Sequence, residues 1–280
     1  MLKFNLFRLK KSLINILIIL ISAIFFLTGC TETPSVTTDS NFSNNTTENT
    51  TSTSNTLVTT AKPSVPKPTK KVALTFDDGP HKTYTVGIVN ELAKYDFHAT
   101  FFVVGNRVDG TAYAGGSAMQ YAIEKGNEIA IHGYTHKYYY NSCSDEKYAS
   151  EIGNTLEAIT AVCPEYDVKL MRPIGGAISK TRVENSPYSI ILWNVDTEDW
   201  KNKYSSNDNE NKKKNKINKI VSNVMSNVDD GDIILMHDIY ESTYDAVKVL
   251  LPLLQAEGYE IVTVSELIGE PKPGTKYNKR

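Results

Sequence analysis

From Lys71 onward, short apolar runs alternate with longer stretches in which apolar residues recur every three or four positions. Runs of strand length lie at Lys71–Phe76, Ala99–Val104, Glu128–His132, Val168–Arg172, Ser189–Asp196, Asp232–His237 and Glu260–Val264. The amphipathic stretches between them predict helices at Tyr84–Tyr95, Ser117–Lys125, Asp145–Val162, Lys216–Asn227 and Thr243–Glu257. Pro252 is expected to kink the last of these. Strand and helix in alternation is the pattern of a parallel α/β fold. Seven strands whose polar residues gather at their C-terminal ends point to a barrel rather than an open sheet.

Before Lys71 the pattern changes. Lys3, Arg8, Lys10 and Lys11 precede an almost uncharged apolar run from Leu13 to Leu27, the arrangement of a secretory signal peptide. The run is short for a bilayer-spanning anchor. Leu27-Thr28-Gly29-Cys30 resembles the lipobox of bacterial lipoproteins, in which Cys30 would become the first residue of the mature chain and carry lipid. The expected location is therefore extracytoplasmic, anchored to the cell membrane. Residues 31–70 are mostly Thr, Ser, Asn and Pro and hold too little apolar surface to offset their ordering entropy. They read as a disordered tether. The expected organisation is a signal peptide over 1–30, the tether over 31–70, one folded domain over 71–270 and a C-terminal tail over 271–280.

The formal net charge of −2 gives no signal for nucleic acid, and a monomer is the default expectation. With Cys30 taken by lipid, Cys143 and Cys163 remain, separated by the helix expected over Asp145–Val162. At about 1.5 Å per residue that helix would hold the two thiols more than roughly 20 Å apart, so no bridge between them is expected. Lys201 to Lys219 interrupts the periodicity with Asn, Lys and Ser. It reads as a solvated surface insertion, or as an electrostatic grip on an anionic wall polymer.

The chemistry collects at strand ends. Leu74-Thr75-Phe76-Asp77-Asp78-Gly79-Pro80 places two carboxylates at a turn, and His132-Gly133-Tyr134-Thr135-His136 places two imidazoles four positions apart in a loop. Two such histidines can reach one metal ion, and Gly133 stands where a helix-borne zinc-protease pair has Glu. Three further ends carry Arg172-Pro173-Ile174-Gly175-Gly176, Asp196-Thr197-Glu198-Asp199-Trp200 and Leu235-Met236-His237-Asp238. Any one of these could be only structural; five at five strand ends point to one site. His81 could stand at the mouth of that site or play an incidental polar role, and Tyr138-Tyr139-Tyr140 could stack on sugar rings or pack beneath the loop.

In this order the five clusters resemble the motifs of the polysaccharide deacetylases, the NodB-homology domains of carbohydrate esterase family four, from about Lys71 to Leu267. The resemblance implies a distorted (β/α)7 barrel. It also implies that Asp78, His132 and His136 hold one divalent cation, zinc first, with cobalt, nickel or manganese as alternatives. Asp77 is then the base, with Arg172 as its partner, and the Gly175 N–H the oxyanion donor. His237 is the acid that protonates the departing amine, oriented by Asp199, while Trp200 and Leu235 wall the slot for the acetyl methyl. Two positions depart from the family pattern. Gly133 replaces a frequent Ser or Thr that steadies the loop, and Ile174-Gly175 replaces a common Pro-Tyr, removing a ring from the sugar groove. The implied substrate is an N-acetylated amino sugar, most readily N-acetylglucosamine of peptidoglycan. Chito-oligosaccharide deacetylase, acetyl-xylan esterase and a non-catalytic wall-binding lipoprotein are the alternatives.

Overall fold

The computed structural model describes residues 68–110 and 115–280. The signal peptide, Cys30 and nearly all of the tether lie outside the described residues. In chain order the strands and helices are β1 Lys70–Asp77, α1 Tyr84–Ala93, β2 Thr100–Val104, α2 Gly105–Val108, α3 Gly115–Glu124, β3 Glu128–Gly133 and α4 Asp145–Val162. Then follow β4 Leu170–Met171, α5 Lys180–Glu184, β5 Ser189–Ile191, β6 Val195–Asp196, α6 Glu210–Met225, β7 Ile233–His237, α7 Glu241–Ala256, β8 Tyr259–Ile261, α8 Val264–Ile268 and β9 Lys276–Tyr277.

Among the described residues every pair of these strands is parallel, in the order β6-β7-β1-β2-β3-β4-β5-β9, with β8 beside the start of β1. The chain passes straight from β5, which pairs with β4, to β6, which pairs with β7 at the opposite end of that order. One run of sequence thus serves both ends of a curled sheet. This is the distorted (β/α)7 barrel, and its parallel strands put all their C-terminal ends on one side.

Side-chain alternation sorts the residues. Leu74, Phe76, Ile129, Ile131, Met171, Ile234 and Met236 face the large cluster that also holds Ile88 and Leu92 of α1, Ile159 of α4 and Leu250 and Leu254 of α7. Each such fully buried aliphatic side chain is worth about 1.5–3 kcal/mol. The alternate positions Ala73, Ala130, Leu170 and Ile233, with Phe102, form a smaller inner cluster. Two residues further along the same faces come Thr75, His132, Arg172 and Leu235, and two beyond that Asp77 and His237. One face of each strand therefore runs from apolar to reactive toward its C-terminal end.

Several expectations change. The run Ser189–Asp196 is two strands, because Leu192 N–H bonds Tyr277 O and Asn194 N–H bonds Ile233 O across the break. The strand expected over Val168–Arg172 shortens to Leu170–Met171. That expected over Glu260–Val264 ends at Ile261, since Thr263 caps α8 by accepting from Glu266 N–H. The helix containing Pro252 is not the last, and it continues through the proline. Much of the supposed insertion is helical: Asn209 accepts from Lys212 N–H and starts α6 six residues before Lys216. Its lysines are partly engaged, Lys216 with Asp208 at 2.5 Å and Lys213 with Glu210 at 3.7 Å, while Ile220 and Val224 are buried. The tail set apart at 271–280 supplies β9 to the sheet. Cys143 and Cys163 are free thiols beyond opposite ends of α4.

Candidate active site

Asp77 and His237 are direct register partners on neighbouring strands, and the Arg172 N–H bonds Ile131 O just before His132. Arg172 is fully buried. Its guanidinium donates to Asp77 Oδ1 at 2.7 Å, Thr75 Oγ1 at 2.8 Å and the carbonyls of Leu192 at 3.0 Å and Ile191 at 3.1 Å. Its plane lies 4.1 Å over the Phe102 ring. A buried cation is tolerable with such a set of acceptors, and the ion pair fixes Asp77 at the cleft floor.

Asp78, His132 and His136 present ligand atoms that all lie within 4.8 Å of one another. His132 Nδ1 is 2.8 Å from the Arg172 carbonyl, which can only accept, so Nδ1 carries the proton and Nε2 turns its lone pair toward Asp78. Asp78 Oδ1 is buried with no hydrogen-bond partner, although His136 Nε2 is 2.9 Å away and His132 Nε2 3.5 Å. Burial alone would raise the Asp78 carboxyl; the two imidazoles outweigh it and hold the group well below the usual range. An orphaned buried oxygen converging with two imidazole nitrogens fits a divalent cation of the zinc type.

The backbone there is unusual. Asp78 at φ 72° and His136 at φ 58° are non-glycine residues in the left-handed region, a strain that the surroundings must hold. Gly133 has φ 104°, and a Cβ on it would lie 2.3 Å from the Tyr140 hydroxyl. No serine or threonine would fit there without rearrangement. The steadying hydroxyl comes instead from Thr135, which donates to Glu151 Oε1 at 2.7 Å. Glu151 Oε2 accepts the Tyr134 and Thr135 N–H groups, each at 2.8 Å.

The other side of the cleft is built on Asp199, which is fully buried. Its Oδ1 accepts from His237 Nδ1–H at 2.8 Å and Trp200 N–H at 2.9 Å; its Oδ2 accepts from His237 N–H and Thr243 Oγ1, both at 2.7 Å. Burial would lower the His237 pKa, but Asp199 and, less strongly, Asp77 and Asp78 push it up to about 9. His237 is thus poised as an imidazolium at neutral pH, an acid facing a carboxylate. The cleft between the halves has a volume of about 400 Å³ and is lined by all of Asp77, Asp78, His132, His136, Gly175, Trp200, Leu235 and His237. The two buried supports, Arg172 and Asp199, lie behind that surface, so every residue singled out from the five clusters converges here.

Tyr139, Ile174, Trp193 and Asp196 line the cleft as well. Sequence reasoning gave no role to Glu151, Thr243 or Thr75, the residues that hold the reactive groups in place. Glu151 carried a signal, since it shares a buried stripe of α4 with Thr155, Ala158 and Ile159. Asp238, also passed over, is buried beside His237, accepts from the Thr85 hydroxyl and is pushed up by burial to about 7. His81 is structural: its Nδ1 accepts the Thr83 and Tyr84 N–H groups at the start of α1.

Residues 64–186 match the family model for polysaccharide deacetylase. A peptidoglycan-N-acetylglucosamine deacetylase of Bacillus cereus is 36% identical over 73% of this chain and 91% of its own length. The chain belongs to the polysaccharide deacetylase family. The solved structure of the peptidoglycan deacetylase PdaC from Bacillus subtilis superposes with a TM-score of 0.62 at 35% identity, covering 71% of this chain and 90% of that one. The peptidoglycan-N-acetylglucosamine deacetylase PgdA of Listeria monocytogenes is 34% identical over 74% of this chain, which spans only 41% of that longer protein. Family likeness extends to chitooligosaccharide deacetylases and acetyl xylan esterases. Within that family framework Asp78, His132 and His136 are the chain's candidate metal site.

Proposed function

We propose that the chain removes N-acetyl groups from amino sugars of the cell wall, N-acetylglucosamine of peptidoglycan first among them, releasing acetate and leaving a free amine. The observation that carries this reading is the pairing of opposite groups across one cleft: the carboxylate Asp77 against Arg172, and opposite it the imidazolium His237 against Asp199, beside a convergent Asp/His/His donor set. A binding module has no need of both a base and an acid.

A divalent cation, zinc in this proposal, held by Asp78, His132 and His136 would supply Lewis acidity for the acetamide carbonyl and for water. Asp77 accepts the proton that the attacking water gives up. Gly175 donates its N–H toward the oxyanion. His237 gives its Nε2 proton to the leaving amine, while Asp199 holds the ring through Nδ1–H. Leu235 and Trp200 wall the acetyl methyl.

In this reading Cys30 carries lipid and residues 31–70 tether the domain within reach of the wall. Acetate release by the full chain in detergent, from peptidoglycan, chito-oligosaccharide and acetylated xylan side by side, tests it. New free amines on peptidoglycan are the expected product. Release from another polymer alone would move the substrate, and polymer binding without release from any would favour a silent wall-binding lipoprotein. A fluid-phase protein with no lipid on Cys30 would sink the anchor.

A further inference from the structure

Gly175 and Gly176 both adopt left-handed backbone, at φ 59° and 73°, and each has an aromatic ring laid against it. A Cβ on Gly175 would stand 3.0 Å from Cε1 of Tyr139, and one on Gly176 would stand 3.3 Å from the Trp193 ring. The left-handed backbone itself favours glycine at both positions, and a Cβ at either would press on a ring. Both rings line the catalytic cleft.

Tyr139 differs from the tyrosines on either side of it. Tyr140 is fully buried and Tyr138 lies under Lys147, yet Tyr139 is 56% exposed. Its segment is nevertheless fixed. Ser142 and Cys143 N–H groups bond the Tyr139 carbonyl at 3.2 Å, and Tyr140 N–H bonds Ala177 O at 3.0 Å, tying the segment to the residue after the two glycines. Arg182 adds bonds to the carbonyls of Tyr140 at 3.0 Å and Cys143 at 2.8 Å. An exposed ring on a fastened backbone loses little entropy when a ligand covers it.

We propose that Tyr139 is the stacking platform for the pyranose ring of the substrate. It is a specificity-determining residue, and it rests on the deacetylase reading above. Its apolar face takes the C–H face of the sugar while the acetamido group reaches toward Asp77 and Gly175. A Cβ at 175 would oblige the ring to give by a few tenths of an ångström.

Equilibrium binding of chitotetraose to zinc-loaded full chain, in an Asp77→Asn background that prevents turnover, tests the platform. Tyr139→Ala is expected to weaken binding at least about tenfold, and Tyr139→Phe to leave it within about twofold. In the otherwise unsubstituted enzyme, Tyr139→Ala should raise KM for the glycan far more than it lowers kcat. Equal binding by the Tyr139 variants overturns the platform and leaves the deacetylase reading intact. Ring-dependent binding without acetate release from any glycan supports the platform and sinks that reading instead.

Discussion

The two halves of the cleft are held by different means. On one side, Asp78 and His136 sit in left-handed backbone, and the loop between the histidines depends on Glu151, a carboxylate from a helix with no reactive motif of its own. On the other, Asp199 is three residues beyond a strand and takes four hydrogen bonds, two of them from His237 itself. The cation side stores strain and relies on a remote fastening; the acid side is a closed local network. Damage should therefore spread differently: loosening the first half costs ligand geometry, whereas altering the second changes a proton's affinity.

The sharpest break is Asp77→Asn, which should lower turnover about a thousandfold or more while bound zinc stays stoichiometric, read by acetate release and metal analysis on the same sample. Equal zinc loss in Asp77→Asn and His132→Ala would erase the distinction between base and ligand. Asp199→Asn comes next. With His237 near 9 in the intact site and an ordinary value of 6.5 without its partner, the imidazolium population at about pH 8.5 falls on the order of a hundredfold. The alkaline limb of the rate profile should move down accordingly. The same raised pKa means that the stabilisation from the His237–Asp199 pair is complete below about 6.5 and fades as pH rises through about 9, which pH-dependent thermal melts can follow.

Glu151→Ala should weaken cation affinity by about 10–100-fold with the ligands untouched, measured by competition with a chromogenic chelator. An unchanged affinity would show that the loop holds itself. Thr243→Val is the mildest, removing one of four donors to Asp199 at a cost of about 1 kcal/mol in unfolding experiments, with the alkaline limb in place.

The reactive half of this design was legible in the sequence because rare residue types recur at strand ends, and alternation then fixes which face they occupy. That rule places Asp77, His132, Arg172 and His237 at strand ends, and the resemblance to the deacetylases supplied their roles. Glu151 escaped because an acid in a helix that also carries Asp145, Glu146 and Glu157 looks like any solvated carboxylate until its stripe is read with Thr155 and Ile159. The run after Lys201 misled for a related reason: its lysines hid the Asn209 cap that starts α6. Ser189–Asp196 reads as one strand because periodicity cannot reveal that its two ends pair with opposite ends of a curled sheet. Three consecutive tyrosines gave no hint that one is buried, one packed under a lysine and one left facing the cleft.

Acetate release from N-acetylated wall glycan, measured on chelated, zinc-restored and zinc-loaded Asp77→Asn protein in parallel, tests the chemistry most directly. The expected result is release that stops with chelator, returns with zinc and is missing from the variant although its zinc is bound. Release that persists without a cation, or that survives Asp77→Asn, would contradict the assignment of base and metal ligands.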